Sequence, residues 1–296
     1  MIRALAIDGG GLRGVIPATV LAALEELTGR PAHELFDVVA GTSTGAIIAL
    51  GLTHPDPEPA GELVGFYLDR GGAVFPRDVE PGTARDPAPL EAELRARLDG
   101  DAMSAALRPV LAVSCAAAAE DDRPPGVFRG GGLDPGPVGD APMVRAVMAS
   151  GAFPGVFPAV AHTGADGVAR SCIDGGVIAN DPSLVAYAEA LALGAGEEVL
   201  VLSLGTGLAP PPEPAPDGEP DLGALVREAA PEVVRDALRR ALGDRYVRLQ
   251  TPLAFGAVRQ FDDASPANLE ALRRTADDLV AREHARLESL ARLLGG

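Results

Sequence analysis

Basic side chains are scarce in this sequence and lysine is missing altogether: 25 arginines face 42 acidic residues, giving a formal net charge of −17 over 296 residues. Nucleic-acid binding needs a basic stripe that neutralises phosphates, and a chain this acidic without an arginine cluster lacks one. The replacement of every lysine by arginine is read as codon bias of a GC-rich genome. Cysteine occurs only at Cys115 and Cys172. Two thiols in or beside apolar runs build no disulfide framework and have no metal-ligand spacing, so both are read as buried and reduced. Long apolar runs are also lacking: nothing nears the ~20 residues of a membrane span. The opening MIRALAIDGG has four apolar residues after its arginine, short of the roughly 7–15 of a signal-peptide core. These absences lead to the expectation of a cytoplasmic protein that binds no nucleic acid.

Apolar residues make up 47% of the chain, and a chain of this length buries most of what its unfolded form exposes. Short apolar runs alternate with segments of helical period, the rhythm of βαβ units and of a parallel sheet covered on both faces. Strands are expected at Arg3–Ile7, Phe36–Ala40, Pro109–Ser114, Ala169–Ile173 and Glu198–Leu204. Helices are expected at Val15–Leu27, Thr44–Leu52, Ala141–Ser150, Ser183–Leu193, Leu222–Leu242 and Pro266–Leu294. Stretches dense in Pro, Gly and Asp interrupt them at His54–Ala60, Phe75–Pro89, Glu120–Pro142 and Ala209–Pro220, and are read as surface loops or covers because regular segments resume on both sides. The expected architecture is a single domain over residues 1–296, a three-layer α/β/α sandwich with a mainly parallel central sheet.

Three motifs carry chemistry. Asp8–Gly14, DGGGLRG, follows the first strand and fits GxGxxG at Gly9, Gly11 and Gly14. A dinucleotide site of Rossmann type would also need an acid at the end of the next strand to hold a ribose hydroxyl. That strand ends instead in Val38, Val39 and Ala40, then Gly41, Thr42 and Ser43. Gly41–Gly45, GTSTG, lies between a strand and a helix, the setting of a nucleophile elbow: a sharp turn lifts the serine hydroxyl off the sheet and small neighbours give clearance. Ser43 is thus a candidate nucleophile beside a helix N-terminus that favours developing negative charge, although the same residues suit a helix N-cap.

The base is the open question. His33, His54 and His284 stand in settings that do not suit a Ser-His-Asp triad, and His162 is the one histidine retained. Asp174 offers another base, delivered at a strand end and followed by Gly175 and Gly176, which let another group approach closely. A carboxylate of ordinary pKa about 3.9 is a weaker base than imidazole, so a Ser-Asp pair depends more on an oxyanion hole. Consecutive amides at Gly9, Gly10 and Gly11 are candidates to supply it. The bland reading of Asp174 is a turn aspartate bonding its own backbone.

DGGGLRG, GTSTG and DGG, in that order, resemble the patatin-like phospholipase family, whose catalytic unit is a Ser-Asp dyad with a glycine-rich oxyanion loop. The resemblance extends to Ala149–Val160, to Asn180 with Pro182, to SLGTG at Ser203–Gly207 and to Phe261–Leu272, and covers nearly the whole chain. It implies Ser43 as nucleophile, Asp174 as base, and the amides of Gly9, Gly10 and Gly11 as oxyanion donors. Arg13 and Gly14 match the motif and are expected to support the loop. Ala46 departs from the pattern, since many members carry a further glycine there. The implied activity is hydrolysis of lipid acyl esters, of phospholipase A type, with no cofactor and no metal; Glu120, Asp121 and Asp122 are read as a solvated turn rather than a calcium loop. A soluble small-ester hydrolase or thioesterase with the same dyad, and a Rossmann-like nucleotide-binding module, stand as alternatives. The partner expected is a lipid or fatty-acyl ester. Because −17 opposes anionic bilayers and no polybasic patch offsets it, membrane-surface contact is expected to be at most transient. Val15, Ile16, Phe153, Val156 and Phe157 are expected to wall the acyl site, with Phe75–Pro89 and Glu120–Pro142 at its entrance.

Overall fold

Side chains of alternating parity fix both faces of the central sheet. In β1 (Ile2–Ile7), Leu5 and Ile7 join one apolar cluster while Ala4 and Ala6 join another, the period of two of a strand buried on both sides. The same division recurs in β2 (Val38–Thr42), β3 (Val110–Ala116) and β7 (Val199–Leu204). Helices α1 (Val15–Thr28), α2 (Thr44–Thr53), α3 (Ala88–Leu98), α4 (Met143–Ser150), α7 (Pro266–Arg282) and α8 (His284–Gly295) contribute to the first cluster. Helices α5 (Ser183–Leu193) and α6 (Ala230–Leu242) cover the other face. There Ala186 and Ala190 meet Ala4, Ala6 and Ala40, small residues that let α5 lie close to the strands. The three-layer α/β/α architecture is therefore as expected. The computed structural model describes residues 1–76, 78–79, 83–116, 126–194, 196, 198–209 and 230–295.

With β5 (Val160–Thr163), β6 (Ala169–Asp174) and β8 (Tyr246–Leu249), the strand order is β5-β6-β3-β2-β1-β7-β8, and β4 (Phe128–Gly130) also lies on β3. The segment from β3 to β8 is parallel, whereas β4, β5 and β6 add antiparallel pairings. Register then decides what meets what. Ile7 pairs with Gly41, Thr42 with Val113, and Ser114 with Asp174. Ser43, one residue past the end of β2, thus lies two strand spacings from Asp174, about 10 Å between backbones, with Ser114 of β3 between them.

Four expectations change. The strand bearing Asp174 is antiparallel to its neighbour, so the rule that parallel strands present ligands at their C-terminal ends does not apply to it; β6 instead runs back along β3 and ends beside it. Short strands β4, β5 and β8 were not anticipated. The long C-terminal helix breaks at Glu283 into α7 and α8. Helix α3 begins at Ala88, inside a stretch expected to be a cover. Residues 210–229, which carry most of the Pro-rich run and the start of the helix expected at Leu222, and the acidic run 120–125 lie outside the described residues.

Candidate active site

The elbow is sterically compulsory. Ser43 has φ 55° and ψ −120°, and among the described residues it alone is a non-glycine with positive φ. Such a conformation costs of order 1–3 kcal/mol and persists only where the surroundings enforce it. A Cβ at Gly41 would lie 2.1 Å from the Gly45 carbonyl oxygen, and one at Gly45 would lie 2.1 Å from that of Ile7. Both positions therefore exclude side chains. The Ser43 side chain makes no capping bond to α2, which leaves the N-cap reading without its hydrogen bond.

What holds the elbow is a residue that the sequence reading passed over. Ser150 ends α4, and its hydroxyl accepts from the Ser43 amide at 2.8 Å while donating to the Val113 carbonyl at 2.6 Å. Its carbonyl accepts from Gly175, and the carbonyl of Ala152, two residues on, accepts from the Asp174 amide. One fully buried serine thus ties the turn carrying Ser43 to the turn carrying Asp174. Asp174 is 2% exposed, and its Oδ1 accepts from the Gly176 amide at 2.6 Å, which is the turn bond of the bland reading; the second carboxylate oxygen is not needed for it. Ser150→Ala strands a buried amide and a buried carbonyl, each worth about 1–3 kcal/mol. We expect kcat to fall by about ten- to a hundredfold through misplacement of the reacting groups, with KM nearly constant. A change in KM alone would contradict this positioning role.

The glycine loop is pinned from both sides. The Gly9 amide donates to the Asn180 carbonyl at 3.0 Å, and the Gly9 carbonyl accepts from Thr206 Oγ1 at 2.8 Å. The Gly10 carbonyl accepts from Arg13, at 3.1 Å from its amide and 3.4 Å from its Nε. Of the three amides expected as oxyanion donors, Gly9 is already committed to Asn180. Those of Gly10 and Gly11 have no protein acceptor among the described residues. Because N–H and C=O of one trans peptide point opposite ways, anchoring the Gly9 carbonyl on Thr206 turns the Gly10 amide to the other side. A Cβ at Gly10 would sit 2.3 Å from Thr206 Oγ1, so this latch needs glycine. Gly14 packs against Tyr67 and Thr44, in keeping with loop support.

Beneath the loop lies a buried quartet of charges. Asp8 takes two bonds from Arg248 of β8 and one from Arg235 of α6, and Asp181 binds both arginines. All four are buried. Burial pushes the Asp8 carboxyl up to about 6 against the pull of Arg248. Burial acts the same way on Asp181, but the fields of Arg248 and Arg235 outweigh it and hold that carboxyl below its ordinary value. The quartet is neutral as a whole when both acids are ionised, and it fixes the residue from which the glycine loop starts.

Ser43, Asp174, the three loop glycines, Arg13, Asn180 and Thr206 all line one cavity, whose apolar wall includes Ile47, Phe75, Leu90, Val147, Phe153 and Phe157. Of the expected wall, Phe153 and Phe157 line it; Val15, Ile16 and Val156 are core residues instead. No histidine lines it among the described residues. His162 lies on edge strand β5, bonded to the Val138 carbonyl and edge-on to Phe128. His54 pairs with Asp101 and His284 with Glu288, and His33 sits in the short helix Ala32–Leu35.

Comparison with known proteins finds a matching family. The family model described as Patatin-like phospholipase matches residues 5–187. Patatin-like protein 2 of Arabidopsis thaliana is 28% identical over 97% of this chain and 84% of its own length. Patatin-like protein 2 of Oryza sativa subsp. indica is 33% identical over 64% of this chain and 53% of its own. Calcium-independent phospholipase A2-gamma of Oryctolagus cuniculus is 36% identical over 65% of this chain and 26% of its own. The chain spans about half the rice protein and about a quarter of the rabbit one.

Proposed function

The chain belongs to the patatin-like phospholipase family, and from that premise we propose that it hydrolyses carboxylic esters of lipids through an acyl-enzyme on Ser43, with Asp174 as base. The observation that carries the reading is the strained elbow at Ser43, two strand spacings from Asp174 and facing an apolar cavity that both residues line. Asp174 takes the Ser43 hydroxyl proton as the oxygen attacks the ester carbonyl. The negative charge that develops on the carbonyl oxygen is met by the amides of Gly10 and Gly11 and by the N-terminal end of α2. The alcohol leaves with the proton, and water repeats the sequence on the acyl-enzyme, releasing the acid and restoring Ser43. A weak carboxylate base is adequate here because the donors are fixed in advance by Thr206 and Asn180 and so need no rearrangement during the reaction.

No helix among the described residues is long and apolar enough to cross a membrane. Substrate lipid is on this reading taken up from dispersed or zwitterionic material.

A fluorophosphonate reacts irreversibly with an activated serine and tests the assignment directly. The expected result is one labelled peptide, the one containing Ser43, with labelling suppressed by prior incubation with phosphatidylcholine. Label on another serine, or none on a folded protein, would overturn it. So would a folded protein that takes the label but hydrolyses neither p-nitrophenyl esters nor phosphatidylcholine.

A further inference from the structure

The cavity that Ser43 and Asp174 line is the smaller of two neighbouring ones. It encloses about 100 Å³, below the roughly 300–1,000 Å³ usual for a ligand site. A second cavity of about 540 Å³ lies against it, and the two share Leu90, Gly151 and Phe157. Helices α3 and α4, which pack together, form the ridge between them: Val147 faces the catalytic side, and Val144 and Met148 line the outer one.

Resting on the lipid-ester reading above, the geometry points to the second cavity as the seat of the distal acyl chain, with Phe157 as the residue that sets how far a chain extends. Phe157 is well placed for this. It sits at the end of a tight turn in which the amides of Val156 and Phe157 both bond the Phe153 carbonyl, and its ring lies 5.9 Å from that of Phe75 on the catalytic side. Phe157 is one of three residues common to both walls, so a chain continuing from the first cavity into the second runs along this ring.

The chemistry of the outer cavity fits a hydrocarbon better than a polar head group. Its charged residues already have partners: Arg95 holds Glu91 and Asp99, Asp101 pairs with His54, Asp140 accepts from Ser104, and Arg145 bonds the Ala161 carbonyl. A phosphate or ammonium would compete with these contacts. The apolar remainder, with Leu98, Val144, Met148, Pro158 and Val160 among it, asks only for another apolar surface.

The test compares the native chain with Phe157→Ala, which removes a ring common to both cavities, and Ala161→Trp, which fills the second cavity from an exposed position on its wall. The readout is the ratio of kcat/KM on p-nitrophenyl dodecanoate to that on the butanoate, both below their aggregation points. One well-buried methylene changes kcat/KM by about tenfold or more. We expect the ratio to rise at least tenfold in Phe157→Ala and to fall at least tenfold in Ala161→Trp. Phosphatidylcholine and phosphatidylglycerol with identical chains form the second arm. Ratios that stay within twofold of the native value in Ala161→Trp overturn the proposal while leaving the hydrolase intact, as does a variant that changes head-group preference and not chain-length preference. Absence of ester hydrolysis by the native chain at every length overturns the underlying reading, and the proposal with it.

Discussion

Replacing Ser43 by alanine is expected to lower turnover of a short-chain p-nitrophenyl ester by several orders of magnitude, because loss of one member of a catalytic unit removes nearly everything the unit contributes. Thermal unfolding should stay cooperative, since alanine inherits the same backbone. Glycine at this position makes a sharper statement. At φ 55° the serine holds a conformation that glycine adopts freely, so Ser43→Gly should be equally inactive yet more stable than Ser43→Ala by about 1 kcal/mol. An alanine variant that keeps more than about a tenth of native turnover would remove Ser43 from the mechanism. A glycine variant less stable than the alanine one would remove the strain argument.

The second large effect is at Asp174. Asp174→Asn retains an acceptor for the Gly176 amide and so keeps the turn, but it cannot take a proton. Turnover should fall nearly as far as in Ser43→Ala, and the double variant should lose little more than either single one. Glutamine at His33, His54, His162 or His284 should each cost less than about tenfold, because none of them lines the cavity and a group outside proton-transfer reach contributes little. Inactivation of a folded enzyme by His162→Gln would replace the dyad with a triad.

What the sequence conveyed, and what it withheld, follows from the range of the interactions. The elbow and the glycine loop were legible because each is encoded within a few residues, by glycines whose absence of a side chain is itself the requirement. The central strands were legible because residues buried on both faces form unbroken apolar runs. Asp174 was proposed partly through a rule about parallel strands, whereas β6 is antiparallel; its place beside the Ser43 turn is set by a long-range pairing with β3 that the DGG pattern does not encode. Strand β8 escaped notice because it is four residues long and carries Arg248, a charge explained by Asp8, 240 positions earlier, and by Asp181. Ser150 gave no signal because its partners are backbone groups of Ser43 and Val113, which no pattern of side chains announces. The same holds for Gly9, whose amide is occupied by a carbonyl from a distant turn.

The charge quartet makes the first strand dependent on the last. The family match ends at residue 187, yet the arginines that neutralise Asp8 and Asp181 are at 235 and 248. A ribosome adding about 5–20 residues per second makes Asp8 wait roughly 10–50 s for Arg248 to be synthesised. During that interval the nascent chain already contains Ser43 and Asp174 but lacks both arginines that pair with Asp8 in the folded protein.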